Sequence, residues 1–237
     1  MVPNLLLALL LQTPTVLDGA YSEAQSARGK AAYTLQCGSC HGDSLEGVSA
    51  PALTGNRFLE RWRESTLDGI YGFIRERMPF GKLPNPSGIS DGEYLDILTY
   101  VLKVNGYPTG PADLTLDRVG KVMLVGKNGP QPVPDGALVV AVGCLAQRDG
   151  TWLLTSAAEP ARSRSDAAST SSELKSAAEK PLGTQTFRLA DLDAVPDFTP
   201  ETQQGHKMQA KGYLVRQPNA ERIHLSSIEM IATTCGK

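Results

Sequence analysis

Hydrophobic and polar positions change rhythm partway along the chain. Glu23–Gln36 (EAQSARGKAAYTLQ) is rich in Ala, Gln, Arg and Lys, which favour helix. A second helix is marked at both ends. Ser90 with Glu93 forms a capping box, Tyr94, Ile97, Leu98 and Val101 make one apolar stripe, and Gly106 with Pro108 supplies the stop. Residues 50–88 between them predict one or two helical segments and a Pro/Gly-rich loop. From about Val119 the reading changes to strands. ALVVAVGCLA (137–146) is rich in β-branched residues, and TWLLTSA (151–157) follows Asp149-Gly150, a hairpin dipeptide. QTFRLADL (185–192) is a third candidate. GHKMQAKGYLVRQ (205–217) alternates Met208, Ala210, Gly212 and Leu214 against Lys207, Gln209, Lys211 and Tyr213. ERIHLSSIEMIATT (221–234) slips phase at Ser226-Ser227, as a bulge produces. An all-α domain followed by an all-β small barrel or sandwich is therefore expected. Residues 157–184 are Ala/Ser-rich with almost no large apolar side chain, and predict a disordered insertion between two strands.

Length changes this picture little: 237 residues suffice for one large or two small domains. Charge excludes one class of partner. Lys and Arg number 23 against 25 Asp and Glu, so no basic face for nucleic acid is expected. Leu5–Leu11 is an apolar run far shorter than the ~20 residues of a membrane span, and fits the apolar region of a signal peptide. It lacks a basic residue before Arg28, and Ser22-Glu23-Ala24 is the best cleavage site; a disordered or helical tail is the alternative. The expected organisation is a signal peptide over 1–24, a helical domain over 25–110, a linker and first strand over 111–136, and a β domain over 137–237, in a periplasmic or secreted protein.

The candidate chemistry lies in TLQCGSCHGDSLEG. Cys37, Cys40 and His41 form C-x-x-C-H, the attachment signature of c-type haem. Two thiols at this spacing reach the two vinyl groups on one edge of a porphyrin, and the next residue projects under the iron. The alternatives are a zinc site, which needs further ligands at matching spacing, and a redox dithiol, which needs a preceding strand. Cys144 and Cys235 stand alone and far away, and a helix precedes Cys37. A haem iron of this type takes a second axial ligand. Met78 is favoured over Met123, Met208 and Met230, because Pro79, Pro84 and Pro86 stiffen its loop.

With CGSCH, APAL, MPFG and the closing helix in this order, residues from about Ser26 to Gly110 resemble a class I cytochrome c. The resemblance implies one covalent haem c, His41 and Met78 as axial ligands, and a carbonyl at Pro51 that orients His41. It also implies a helix crossing at Gly29, Tyr33 and Tyr100, and apolar haem contacts from Leu53, Phe58, Ile74 and Leu98. Trp62 is a candidate donor to a haem propionate. More narrowly, APALTGNRFLERW, MPFGKL and SDGEYLDILTYVLKVNGYPTG are similar to cytochrome domains accompanying periplasmic quinoprotein dehydrogenases, with Ile89 where that pattern has leucine. That implies such a dehydrogenase as redox partner.

VVAVGCLA, TWLLTSA, GHKMQAKGYL and SIEMIATTC resemble small bacterial OB-like β-barrel domains. In an oxidising compartment Cys144 and Cys235, which open and close that pattern, are expected to bond; two separate buried thiols are the alternative. His206 with Met208 offers two ligands, too few for a metal site, and His224 reads as an ordinary strand residue. Three functions stay open: an electron carrier that is not itself an enzyme, a haem enzyme or sensor with a labile sixth position, and a docking β module with the haem as relay.

Overall fold

The computed structural model describes residues 13–80, 88–218 and 220–236. The chain divides into two compact units, Met1–Gln131 and Pro132–Lys237.

The first unit is helical: α1 (Glu23–Gln36), α2 (Gly38–His41), α3 (Gly55–Trp62), α4 (Leu67–Arg77), α5 (Asp91–Val104) and α6 (Leu116–Val119), with a two-residue ribbon of β1 (Ser65–Thr66) and β2 (Met123–Leu124). The Ser22 hydroxyl caps α1 through Gln25 N, and Ser90 with Glu93 caps α5 from both directions. Helices α1 and α5 cross at Gly29, where a Cβ would sit 1.8 Å from the Asp96 carbonyl oxygen. Only glycine allows that approach. Tyr33 and Tyr100 pack beside the crossing with ring centroids 5.2 Å apart. Arg28 on α1 bridges Asp96 on α5 (2.9 Å) and Asp113 (2.8 Å).

Two segments expected outside this domain are part of it. The boundary expected at Ala24 lies within the fold: Val16 and Tyr21 are fully buried, Tyr21 Oη donates to Tyr107 O (2.7 Å), and Gly110 N donates to Tyr21 O (2.7 Å). The expected linker over 111–136 is likewise corrected. Leu114, Val119, Val122, Leu124 and Val125 join the helical core, and Gln25 bonds both backbone groups of Leu114. Thr15 bridges Met123, and Met123 N donates to Pro14 O (2.8 Å). A hydrophobic run of four residues with no helical period packs wherever an unfilled edge exists; here the edge is the α3–α4 corner, where Leu67 N meets Val122 O. Residues Val133 and Ala137 belong instead to the second core.

The second unit holds β3 (Leu138–Arg148), β4 (Thr151–Ala157), β5 (Ala161–Arg162), α7 (Ser171–Ala178), β6 (Gln185–Ala190), β7 (Lys207–Gln217) and β8 (Ala220–Ala232). The strands run β4-β6-β8-β7-β3-β5, and because β3 also pairs with β4 the sheet closes into a five-strand ring. The long β3 divides its length: Leu138–Cys144 pairs with β7 and Cys144–Arg148 with β4. Strands β6 and β8 are parallel, and the other pairs are antiparallel. The register of β7 and β8 shifts between Lys211 and Gly212, passing over Ser226, where the sequence pattern slips. Val139, Ala141, Leu145, Leu154, Phe187, Met208, Ala210, Leu214 and Ile223 fill the ring. Cys144 and Cys235 are joined by a disulfide, with Cα atoms 5.5 Å apart.

Residues 157–184 are not a structureless excursion. They hold β5, paired to β3 at Val139 and Val140, and α7, capped by Thr170 with Glu173. The physical reason is polar. Lys207 Nζ donates to the carbonyls of Ala178 and Lys180 (both 2.9 Å), Gln209 Nε2 to Ser169 Oγ (2.6 Å), and Lys211 Nζ to Glu173 Oε1 (3.0 Å). The outward row of β7, polar as a solvent face would be, is the seat of this segment.

Candidate functional site

The site is built where α1 ends. Cys37 caps α1, donating its N–H to Tyr33 O (2.8 Å), and α2 carries Cys40 and His41 on one turn. Gly42, at φ 83°, turns the chain out of that helix. The following loop folds back on the motif. Val48, Ser49 and Ala50 N–H groups converge on Cys40 O (3.0–3.1 Å), Gly47 N donates to His41 O (2.7 Å), and Leu53 N to Leu45 O (2.9 Å). Leu45 is fully buried beneath it, and Tyr33 Oη fixes the turn through Gly42 O (2.8 Å).

That loop brings Pro51 O to 2.8 Å from His41 Nδ1. A carbonyl oxygen only accepts, so Nδ1 carries the hydrogen and Nε2 keeps its lone pair for a metal. Cys37 is half-buried and Cys40 exposed, and neither is in a disulfide. Burial, and secondarily the neighbouring Cys40, pushes the Cys37 thiol up to about 11. Among the described residues no group of three or more His, Cys, Asp or Glu side chains is disposed to hold a metal ion. The donor set therefore fits a haem: two unpaired thiols, an oriented imidazole, and half-buried Leu53, Trp62, Tyr71 and Ile74 on the helical core. Phe58 and Leu98, expected beside the haem, are buried members of that core. Trp62 stacks edge-on against Phe73 (5.4 Å), with the Arg61 guanidinium over both rings.

Met78 ends α4. Its N–H donates to Ile74 O (3.0 Å), and its carbonyl accepts from Tyr94 Oη (2.8 Å). Arg75 Nε bonds Asp91 Oδ1 (2.7 Å), tying this end of α4 to the start of α5 and holding the Asp91 carboxyl below its ordinary range. Pro84 and Pro86 lie outside the described residues. The sequence does not reveal the Tyr94 and Tyr33 hydroxyl anchors: Tyr94 sits in the apolar stripe of α5 and Tyr33 at the implied helix crossing. Of the other methionines, Met123 lies in β2, Met208 in the barrel core, and Met230 is exposed. His206 Nδ1 pairs with Gln203 Oε1 (2.9 Å), and His224 Nδ1 with Asp191 Oδ2 (2.9 Å).

This arrangement defines a c-type cytochrome domain, the class that carries covalent haem c and transfers electrons through it. Residues 24–101, about a third of the chain, match the family described as cytochrome c oxidase, cbb3-type, subunit III. Among solved structures the chain is similar to the sulfane dehydrogenase SoxCD from Paracoccus pantotrophus, at 25% identity over 52% of this chain and 65% of that one, with a TM-score of 0.33. No curated protein matches the chain. No helix among the described residues is long and apolar enough to cross a membrane.

Proposed function

We propose that the protein is a periplasmic monohaem electron carrier whose iron is held by His41 and Met78. Cys37 and Cys40 are the thioether attachment points. The observation that carries this reading is the 2.8 Å contact of His41 Nδ1 with Pro51 O, which fixes the imidazole in the tautomer that leaves Nε2 to a metal. Met78 as second ligand is supported by its place at the end of α4 and by the Tyr94 anchor on its carbonyl. The haem supplies one-electron chemistry when bound. The chain's own residues orient the imidazole, aim a thioether, and keep water off the ring with Leu53 and Ile74. With both His41 and Met78 holding the iron, no position on it would be left for a substrate, so the protein is a carrier and not an enzyme. Its electrons come from a periplasmic dehydrogenase. Pro14, Thr15, Val16 and Tyr21 all make contacts within the fold, so an export cleavage at Ala24 would remove part of it.

We further infer that the second unit is an OB-type barrel. Its ring order, first-second-third-fifth-fourth-first with the third and fifth strands parallel, supports this.

The experiment is the absorption spectrum of the oxidised protein, wild type against Met78→Ala. A far-red sulfur-to-iron band present in wild type and lost in the variant is the expected result. Absence of that band from the wild type would favour a labile sixth position and an enzyme or sensor.

A further inference from the structure

The outer face of β7 and β8 carries three deeply buried polar side chains: Lys211 (2% exposed), Gln209 (3%) and Ser227 (4%). Lys211 and Ser227 are paired across the strands, so they share a face. What buries this face is the segment 163–180. It contributes few apolar contacts: Ala177 is its only buried residue. Its hold is polar instead. Glu173 meets Lys211, Ser169 Oγ accepts from Gln209, and Ser169 donates twice to Glu229, through N (3.1 Å) and Oγ (2.9 Å). The fit is incomplete. Ser227 Oγ is buried and has no hydrogen-bond partner.

We propose that this face is a carboxylate-recognising site, and that segment 163–180 is its internal, displaceable occupant. The ligand class is an acidic segment of a protein partner that presents a hydroxyl four residues before a carboxylate, as Ser169 and Glu173 do. Three features make displacement feasible. The strap leaves behind Lys207, Gln209, Lys211 and Glu229, a polar surface that water solvates without hydrophobic cost. Few buried apolar contacts hold the strap, the mark of a segment that opens locally. The vacant Ser227 hydroxyl offers an incoming ligand one hydrogen bond that the strap does not make. The proposal does not depend on the haem ligands, and its test reads none of them.

The test is acylation of the full-length protein with a water-soluble amine reagent, read at Lys211 by peptide mass spectrometry, with exposed Lys175 as internal standard. Native protein is expected to react at Lys211 slowly but measurably. Glu173→Gln is expected to speed that reaction about tenfold or more, because the buried ammonium loses its charged partner and keeps only the Ala167 carbonyl (3.3 Å). Ser169→Ala, which leaves the ion pair intact, is expected to give a smaller rise and serves if the first variant folds poorly. A synthetic peptide copying residues 167–180 is then expected to protect Lys211 in the Glu173→Gln protein, and the same peptide with Gln at the position of Glu173 to fail. Lys211 remaining inert in both variants until denaturant unfolds the barrel would overturn the proposal. So would a peptide that gives no protection.

Discussion

Replacing Gly29 by alanine sets two effects of known size against each other. Alanine is favoured over glycine in a helix interior by about 1 kcal/mol. At this position its methyl group would stand 1.8 Å from Asp96 O and 2.4 Å from Asp96 C. Ordinary contact begins near ~3.4 Å, so α1 and α5 must part by roughly 1.5 Å, and overpacking of this kind costs about 3 kcal/mol or more. The clash is with backbone, which has no rotamer to yield. Separation also loosens the Tyr33–Tyr100 contact and the Arg28–Asp96 bridge. The net expectation is a loss of about 2 kcal/mol or more, lowering the urea midpoint by roughly 1 M. The assay is equilibrium urea unfolding of the haem-loaded protein, followed by helical circular dichroism. A variant more stable than wild type by the helix-propensity difference would show that the two helices do not cross at Gly29, and the helical unit would have to be redrawn.

The remaining expectations concern the flanks and the second unit. Tyr21→Phe should cost about 1–2 kcal/mol, because it strands the buried Tyr107 carbonyl; an unchanged urea midpoint would remove residues 13–22 from the domain. Replacing Cys144 and Cys235 by alanine opens a loop of 91 residues and should cost about 5 kcal/mol in the chain-entropy model, measured as the unfolding midpoint with and without reductant. Glu173 has its carboxyl lowered to about 2, first by the Thr170 backbone and then by Lys211. A depressed acid contributes stability above its unfolded value, and that contribution is lost as pH falls through the folded value. The stability difference between wild type and Glu173→Gln should therefore be constant above about pH 5 and shrink toward pH 2; a difference independent of pH would show that Glu173 does not act as a charged group.

Local signals carried much of the fold. The α5 capping box, the Asp149-Gly150 turn and the slip at Ser226 each depend on residues close in sequence, and each stands where the pattern put it. The C-x-x-C-H motif is local as well, and Pro51, ten residues on, lies beside His41. What the sequence hid is non-local. Val122 to Val125 is a short apolar run whose partner edge, at Glu64–Leu67, lies far away in the chain. Thr15 to Tyr21 looks like the tail of a leader because its partners, Met123, Tyr107 and Gly110, lie far along the chain, Tyr107 being 86 residues from Tyr21 and Met123 more distant still from Thr15. Residues 157–184 depart from the expected disordered insertion for a different reason. Apolar periodicity is the usual sign of a docked helix, and α7 docks through lysine, glutamate and serine instead.

The account rests on covalent attachment of a haem at Cys37 and Cys40 beside His41. The direct measurement is the mass and colour of the protein matured in a periplasm competent for cytochrome assembly, before and after acid-acetone extraction. The prediction is a chain heavier by one haem that keeps its pigment through extraction, and a colourless product when both cysteines are changed to serine. A wild-type chain of unmodified mass, or pigment that leaves with the solvent, would contradict it.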